Sequence, residues 1–325
     1  MDKTQIFLLI SVLFIFSIMQ GCIIPDMTDA GNSPKPAQAA APEPAPVPEA
    51  GTPAAPAAVE KPIMAFISVG MGESTLLLSD NGSILVDAGP DPDAASVIGV
   101  LSKYGVKKID MLVITRPAPG HYAGAPTIIK GFSVPWIVEN GASGPDDYNS
   151  MIVDATKNRI MVEDAYLGWA QTVDGWELKA LNPQRTSDGI ITNISKDSIV
   201  LMAKKDGACA ILMSDTEGSG SGAPDAGTAF GGTESKIAAL PGIEGCQILR
   251  VGAYGSGNSA SSQLLNIIKP KYGIISVGIN TQGLPQDAAL IRMNMSNMTV
   301  FRTDKQGTIL VFAQNGTISV NPMAG

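Results

Sequence analysis

A single histidine, His121, stands in the whole 325-residue chain, beside three cysteines, Cys22, Cys209 and Cys246. That supply bounds the chemistry. Imidazole is the commonest protein ligand of catalytic zinc, and such a centre typically takes three protein ligands and leaves a fourth position open. One histidine cannot build it without carboxylates. Nucleophilic catalysis is no better supplied, because Ser256 has no second histidine to activate it. Neither a Walker A loop nor a dinucleotide-binding fingerprint is present.

The elements that would position these residues begin at Ile63. MAFISV, STLLLS and SILVDAG read as strands, the last two joined by a turn at Asn81-Gly82. Asp93 to Tyr104 reads as a helix, with Asp91 or Asp93 near its N-cap and Gly105 ending it. DMLVIT is a strand, a helix follows His121, WIVE is a strand and 146–158 is a helix. MVED, AQTVD, WELKAL, SIVLMAK and CAILMSD are strand-like. A Gly/Ser/Ala-rich stretch, 218–232, reads as a surface loop. Strand CQILRVG, helix SQLLNIIK, strand YGIISVG, a helix over 287–293 and strands MTVFRTD and GTILVFA complete the chain. Strand runs mixed with βα units predict an α/β (α+β) architecture with two sheets.

The first 61 residues differ in kind. Lys3 precedes an apolar run from Ile6 to Met19, followed by Gly21-Cys22. This pattern describes a secretory signal. A cysteine directly after Gly21 resembles a lipoprotein signal, in which Cys22 is acylated and becomes the new N-terminus. The alternative is an uncleaved anchor helix, although this largely apolar run of fourteen residues falls short of the ~20 that span a bilayer. Either way the 1–22 segment provides the attachment to the cell membrane, through acylated Cys22 or through the uncleaved helix, and the rest is expected to face the extracytoplasmic side. Residues 23–61 are rich in Pro, Ala and Glu and cannot bury enough apolar surface to fold. At ~3.1 Å per residue in polyproline II, such a tether reaches on the order of 100 Å. Residues 62–325 are the folded domain. Five Asn-x-Ser/Thr sequons, at Asn81, Asn193, Asn294, Asn297 and Asn315, are acceptor sites for glycans in an exported protein.

The chain is 45% hydrophobic and 16% charged, which is sufficient for a sizeable core, and its formal net charge is −8. Phosphate contacts need clustered Lys and Arg, so direct nucleic-acid binding is not expected. A protein partner in the envelope is the expected contact beyond the membrane.

Eight segments, in order, resemble the hydrolase domain of ComEC-type DNA-uptake proteins, a branch of the metallo-β-lactamase superfamily. MAFISVGMGESTLLL resembles that family's F-x-D-V-G-Q-G-D-x-x-L-I, and SILVDAG its L-I-D-G-G. KIDMLVITRPAPGHYAG aligns with L-D-x-L-V-L-S-H-P-H-A-D-H-x-G-G. DSIVLMA, CAILMSD, ILRVGAYGS, IISVGINTQGLPQ and VFRTDKQGTI follow at the family's later motifs. The likeness covers nearly all of 63–313. It implies a four-layer αββα sandwich of the metallo-β-lactamase type.

The same resemblance shows what has changed. The family's H-x-H-x-D-H ligand positions are Arg116, Ala118, Gly120 and His121, and its later histidines are Ala253, Tyr254, Leu284 and Gln286. Asp87, His121 and Asp215 keep the family's residue, Asp215 at the metal-bridging position and Asp87 at one that supports the loop. His121 and Asp215 supply at most two metal ligands, and Arg116 puts a cation where a ligand stood, free to pair with Asp215 or Asp87. No metal and no cofactor is therefore expected; a retained site would use zinc or manganese. Arg116, His121, Asp215, Tyr254 and Ser256 should line the old site and could bind a small anion or a glycan. Each also has a structural reading: His121 as a helix cap, Asp87 ordering backbone amides, Asp215 paired with Arg116, and Arg250 as a structural or surface charge. In the family fold the strands carrying Cys209 and Cys246 are parallel neighbours, which makes a disulfide between them compatible with that fold in an oxidising compartment; two buried thiols are the alternative.

The amino terminus gives the first test. Cys22→Ala should abolish acylation and move the protein from the membrane to the soluble fraction, as read by mass spectrometry of the N-terminal peptide and by fractionation.

Overall fold

A computed structural model describes residues 61–185, 193, 195–218, 232–314 and 316–324. The signal segment with Cys22, nearly all of the tether, most of the 218–232 loop and Asn315 lie outside the described residues.

The elements run in the order β1 (Met64–Phe66), β2 (Thr75–Leu78), β3 (Ser83–Val86), α1 (Ala95–Lys103), β4 (Met111–Val113), α2 (Pro119–Tyr122), α3 (Ala125–Gly131), β5 (Trp136–Glu139), α4 (Asp146–Lys157) and β6 (Met161–Asp164). There follow β7 (Ala170–Val173), β8 (Trp176–Asn182), β9 (Val200–Lys205), β10 (Ala208–Leu212), α5 (Thr233–Ala238), β11 (Ile248–Arg250), α6 (Ser262–Ile268), β12 (Tyr272–Ile275), α7 (Asp287–Met295), β13 (Thr299–Arg302), α8 (Thr303–Gln306), β14 (Ile309–Gln314) and β15 (Thr317–Pro322). One sheet has eight strands in the order β15-β14-β1-β2-β3-β4-β5-β6, and the other seven in the order β13-β12-β11-β10-β9-β8-β7. Strands β3 to β6 are parallel to one another, as are β10 to β13.

Three apolar layers separate four structural layers. Phe66, Leu77, Val86, Val113, Trp176, Leu178, Leu201, Leu212 and Ile248 fill the space between the sheets. Leu76, Leu85, Leu112 and Ile114 point the other way, onto Val97, Val100 and Leu101 of α1 and Tyr148 and Met151 of α4. Ile211, Leu249 and Ile275 point away from the second sheet, onto Ile237 of α5, Leu264 and Leu265 of α6 and Met293 of α7. Each sheet is thus covered on both faces at its centre, which is why central strands such as TLLL and SILV are buried at every position, while β8 alternates in and out only from Trp176 to Ala180. The fold is a four-layer αββα sandwich. Among the described residues no helix is long and apolar enough to cross a membrane.

Local structure departs from the sequence reading in places. A helix, α3, follows His121 as expected, but His121 itself also lies inside a further short helix, α2, whose first residue is Pro119. At α1 both aspartates lie near the N-cap, as expected, though the cap residue itself is Ala94. Asp91 accepts from the backbone N–H groups of Asp93 and Ala95, while Ala94, at φ 52°, makes the cap turn.

Cys209, in β10, and Cys246, just before β11, are joined as a disulfide with their Cα atoms 4.6 Å apart. The bridge closes a loop across 37 residues. The chain-entropy model gives about 3–4 kcal/mol for such a loop. Replacing both cysteines by serine should therefore lower the unfolding free energy by about that amount in a denaturant titration under oxidising conditions, and leave it unchanged relative to the reduced protein.

Candidate functional site

The site lies where the parallel strands of both sheets end, the usual place for a binding crevice in α/β folds. Asp87 follows β3, Thr115 and Arg116 follow β4, Ser214 and Asp215 follow β10, and Arg250 closes β11. Glu73 enters from the loop before β2. Backbone bonds lace these loops together: Glu73 N–H donates to Gly120 O at 3.0 Å, Ala88 N–H to His121 O at 2.7 Å, and Ala253 N–H to Ser214 O at 2.9 Å. Gly72 permits the first of these, since a Cβ there would lie 2.5 Å from Gly120 O. The backbone turns sharply at the site. Asp87, Ser214, Ala253 and Tyr254 all have positive φ, between 45° and 61°, a sparsely populated region for residues with a Cβ.

At the centre His121 is fully buried between two carboxylates. Its Nδ1 lies 3.0 Å from Asp87 Oδ2, and its Nε2 lies 3.4 Å from Asp215 Oδ1. Tyr254 Oη lies 3.4 Å from the same Nε2. Asp87 also accepts from Thr115 N–H at 2.8 Å and from Thr115 Oγ1, which in turn contacts Ser214 Oγ at 2.7 Å. Burial opposes a charge on His121, but Asp87 and Asp215 outweigh it and hold the imidazole pKa up at about 10. Burial pushes Asp215 up, and His121, Arg116 and Arg250 together bring its carboxyl below the usual range. Burial, then the carboxylates Asp215 and Glu73, raise the Tyr254 phenol.

Two arginines complete the arrangement. Arg116, with 15% of its side chain exposed, forms an ion pair with Asp215 through Nη1, which also donates to Ser195 Oγ at 2.8 Å. Arg250 is not a surface charge: none of its side chain is exposed. It reaches across from the second sheet to the first, donating to Thr75 Oγ1 at 3.2 Å, pairing with Glu73 and lying 3.9 Å from Asp87 Oδ2. Burial raises the Glu73 carboxyl, against the pull of Arg250 and His121.

Of the residues singled out from sequence, Asp87, Arg116, His121, Asp215 and Tyr254 come together. Ser256 does not join them, for its hydroxyl donates to Glu217. Glu73, Thr115 and Ser214 were missed. For Glu73 the signal was its place at the end of the VGMGE stretch, where the similar family carries an aspartate.

Glu73, Asp87 and His121 offer ligand-type atoms that all lie within 4.8 Å of one another, and by residue type such a group could hold a metal ion. As arranged, they do not fit one alongside Arg250. A guanidinium already lies against Glu73 and Asp87, and the His121 nitrogen nearest them is turned to Asp87 as a hydrogen-bond partner. Three carboxyl groups face two guanidinium groups and one imidazole, so the buried charges balance without a further cation.

Comparison with known proteins places this geometry. The chain is 25% identical over 280 residues to ComE operon protein 3 of Bacillus subtilis, across 79% of this chain and 34% of that protein. It thus spans about a third of that relative's length. Solved structures similar to it include the metallo-β-lactamase fold protein YhfI from Bacillus subtilis, at 12% identity and a TM-score of 0.49 over 80% of this chain and 100% of that one. Another is CmlA, a diiron β-hydroxylase from Streptomyces venezuelae, at 11% identity and a TM-score of 0.46 over 75% of this chain and 53% of that one. No family model matches the chain. The two-sheet αββα sandwich and the likeness to ComE operon protein 3 support a metallo-β-lactamase-type, ComEC-like domain.

His121 should act as an internal counter-ion. Its folded pKa, about 10, exceeds the ordinary 6.5, so its contribution to stability is fully present below pH 6.5 and is lost as the pH rises through about 10. Urea midpoints of the wild type should fall over that window by more than those of His121→Gln. At neutral pH, His121→Ala should cost about 3–5 kcal/mol, the usual result of leaving buried charges unpaired.

Proposed function

We propose that this protein is a membrane-tethered lipoprotein facing the extracytoplasmic side, whose ComEC-like domain is non-catalytic and serves binding or scaffolding. The observation that carries the reading is the buried Arg250 guanidinium against Glu73 and Asp87, supported by Arg116 on Asp215. Metal-assisted hydrolysis needs an open coordination position and an activated water. Here cationic side chains lie at the carboxylates that would supply ligands. The anchor and tether support a role at the envelope surface, with a protein partner in an envelope complex; a DNA-uptake complex is one candidate, given the likeness to a ComE operon protein.

A second reading is a metal-dependent phosphodiesterase, favoured by the closeness of Glu73, Asp87 and His121. The two separate cleanly. On the first, the full chain purified without chelator and exposed to zinc and manganese should carry almost no metal by elemental analysis, and should not cleave a model phosphodiester above background. Bound metal, with turnover lost in His121→Ala, would establish the second instead.

A further inference from the structure

The Glu73–Asp87–His121 cluster carries a deeper inference, which rests on the reading of the domain as metal-free. We propose that the cluster is a latent divalent-cation cradle in which the Arg250 guanidinium holds the place of the ion, so that removing this one side chain makes the domain a metal binder.

The hydrogen bonding of Arg250 argues for this. A buried arginine chosen for directional bonds usually grips a carboxylate with a planar fork. Arg250 does not. Its Nε is buried without a hydrogen-bond partner, and its Nη2 contacts Glu73 as a charge without forming an aligned bond. On the other side, Glu73 Oε1 is buried and unpartnered. An orphaned carboxylate oxygen in a dry pocket is costly, and a coordinated cation would satisfy it. The guanidinium therefore serves chiefly as a positive charge.

The surrounding atoms are already held in place. Asp87 is fixed by the Thr115 backbone N–H and by the Thr115 hydroxyl, which lies within reach of both carboxylate oxygens, and the Glu73 and His121 backbones are tied to Gly120 and Ala88. Such supporting contacts orient ligands around metals. Two carboxylates and an imidazole suit zinc or manganese, and coordination by His121 Nδ1 would release the proton it holds toward Asp87. This set differs from the one the ComEC-type motif implies, because it uses Glu73 and the side of the cluster that faces Arg250.

The test is Arg250→Met in the full chain, with zinc or manganese titrated in. The variant should retain metal in elemental analysis after desalting. Its Tm should rise by about 5–10 °C when free metal exceeds Kd a hundredfold, while the wild-type Tm stays fixed. Should the variant fail to fold without metal, metal should refold it, and Arg250→Met/Glu73→Gln, which removes the unpaired charge, should fold without metal and ignore it. A folded Arg250→Met that takes up no metal, a variant that metal cannot refold, or a double variant that is no better folded than the single, would overturn the proposal. Metal on the wild type would sink the metal-free reading as well, whereas a metal-free wild type with a metal-blind variant would sink the cradle alone.

Discussion

The structure depends on a charge balance sealed between two sheets. Glu73, Asp87 and Asp215 bring three carboxyl groups to one end of the sandwich, and His121, Arg250 and Arg116 answer them. Leaving any one of these groups alone in such a place would cost several kcal/mol. Together they are tolerable, and because they come from the loop before β2, from α2 and from the ends of β3, β4, β10 and β11, the balance also ties the sheets to each other. Arg250 is the clearest case, rooted in one sheet and bonded to Thr75 in the other. The apolar layers decide that the sheets stack; the ion network decides how their ends meet.

A superfamily fold that brings carboxylates together must neutralise them. A metal centre does so with ions and gains reactivity, because an ion with an open position can activate water. Arginine does so with a group that cannot be deprotonated and has no such position to offer. The two solutions need much the same backbone. Here the tight turns at Asp87, Ser214, Ala253 and Tyr254 shape that backbone. Those turns aim side chains into the crevice whatever ion, or substitute for one, sits there.

Much of the fold was legible in the sequence because it rests on short-range patterns. The apolar runs gave the strands in order, and the ordered motifs implied two sheets with helices outside. The breaking of the region after Pro119 into two short helices was not legible, since it depends on His121 O being held by Ala88 N–H from another loop. At the site, the surviving Asp87, His121 and Asp215 could be found by motif position. Glu73 could not be ranked as highly, because it reaches the cluster through the close approach of Gly72 to Gly120 rather than through any ligand-like spacing. Arg250 was underestimated despite an available clue. In the run Ile248-Leu249-Arg250, alternation puts Arg250 on the face of Ile248, which belongs to the layer between the sheets. A charge at an inward position of a buried parallel strand has to find a partner, and the loop before β2 supplies it.

The complete burial of Glu73 and Arg250 also bears on how the protein responds to its medium. Ion pairs at a surface weaken as dissolved salt screens them over a Debye length of about 10 Å at 0.1 M. Mobile ions have no access to a pair with no exposed side-chain surface, so the contact between the two sheets should hold nearly constant from dilute to concentrated brine. The exposed pair of Lys157 and Asp154 on α4 should by contrast fade as salinity rises. The attachment of one half of the domain to the other is thereby uncoupled from ionic strength, while its outer surface is not.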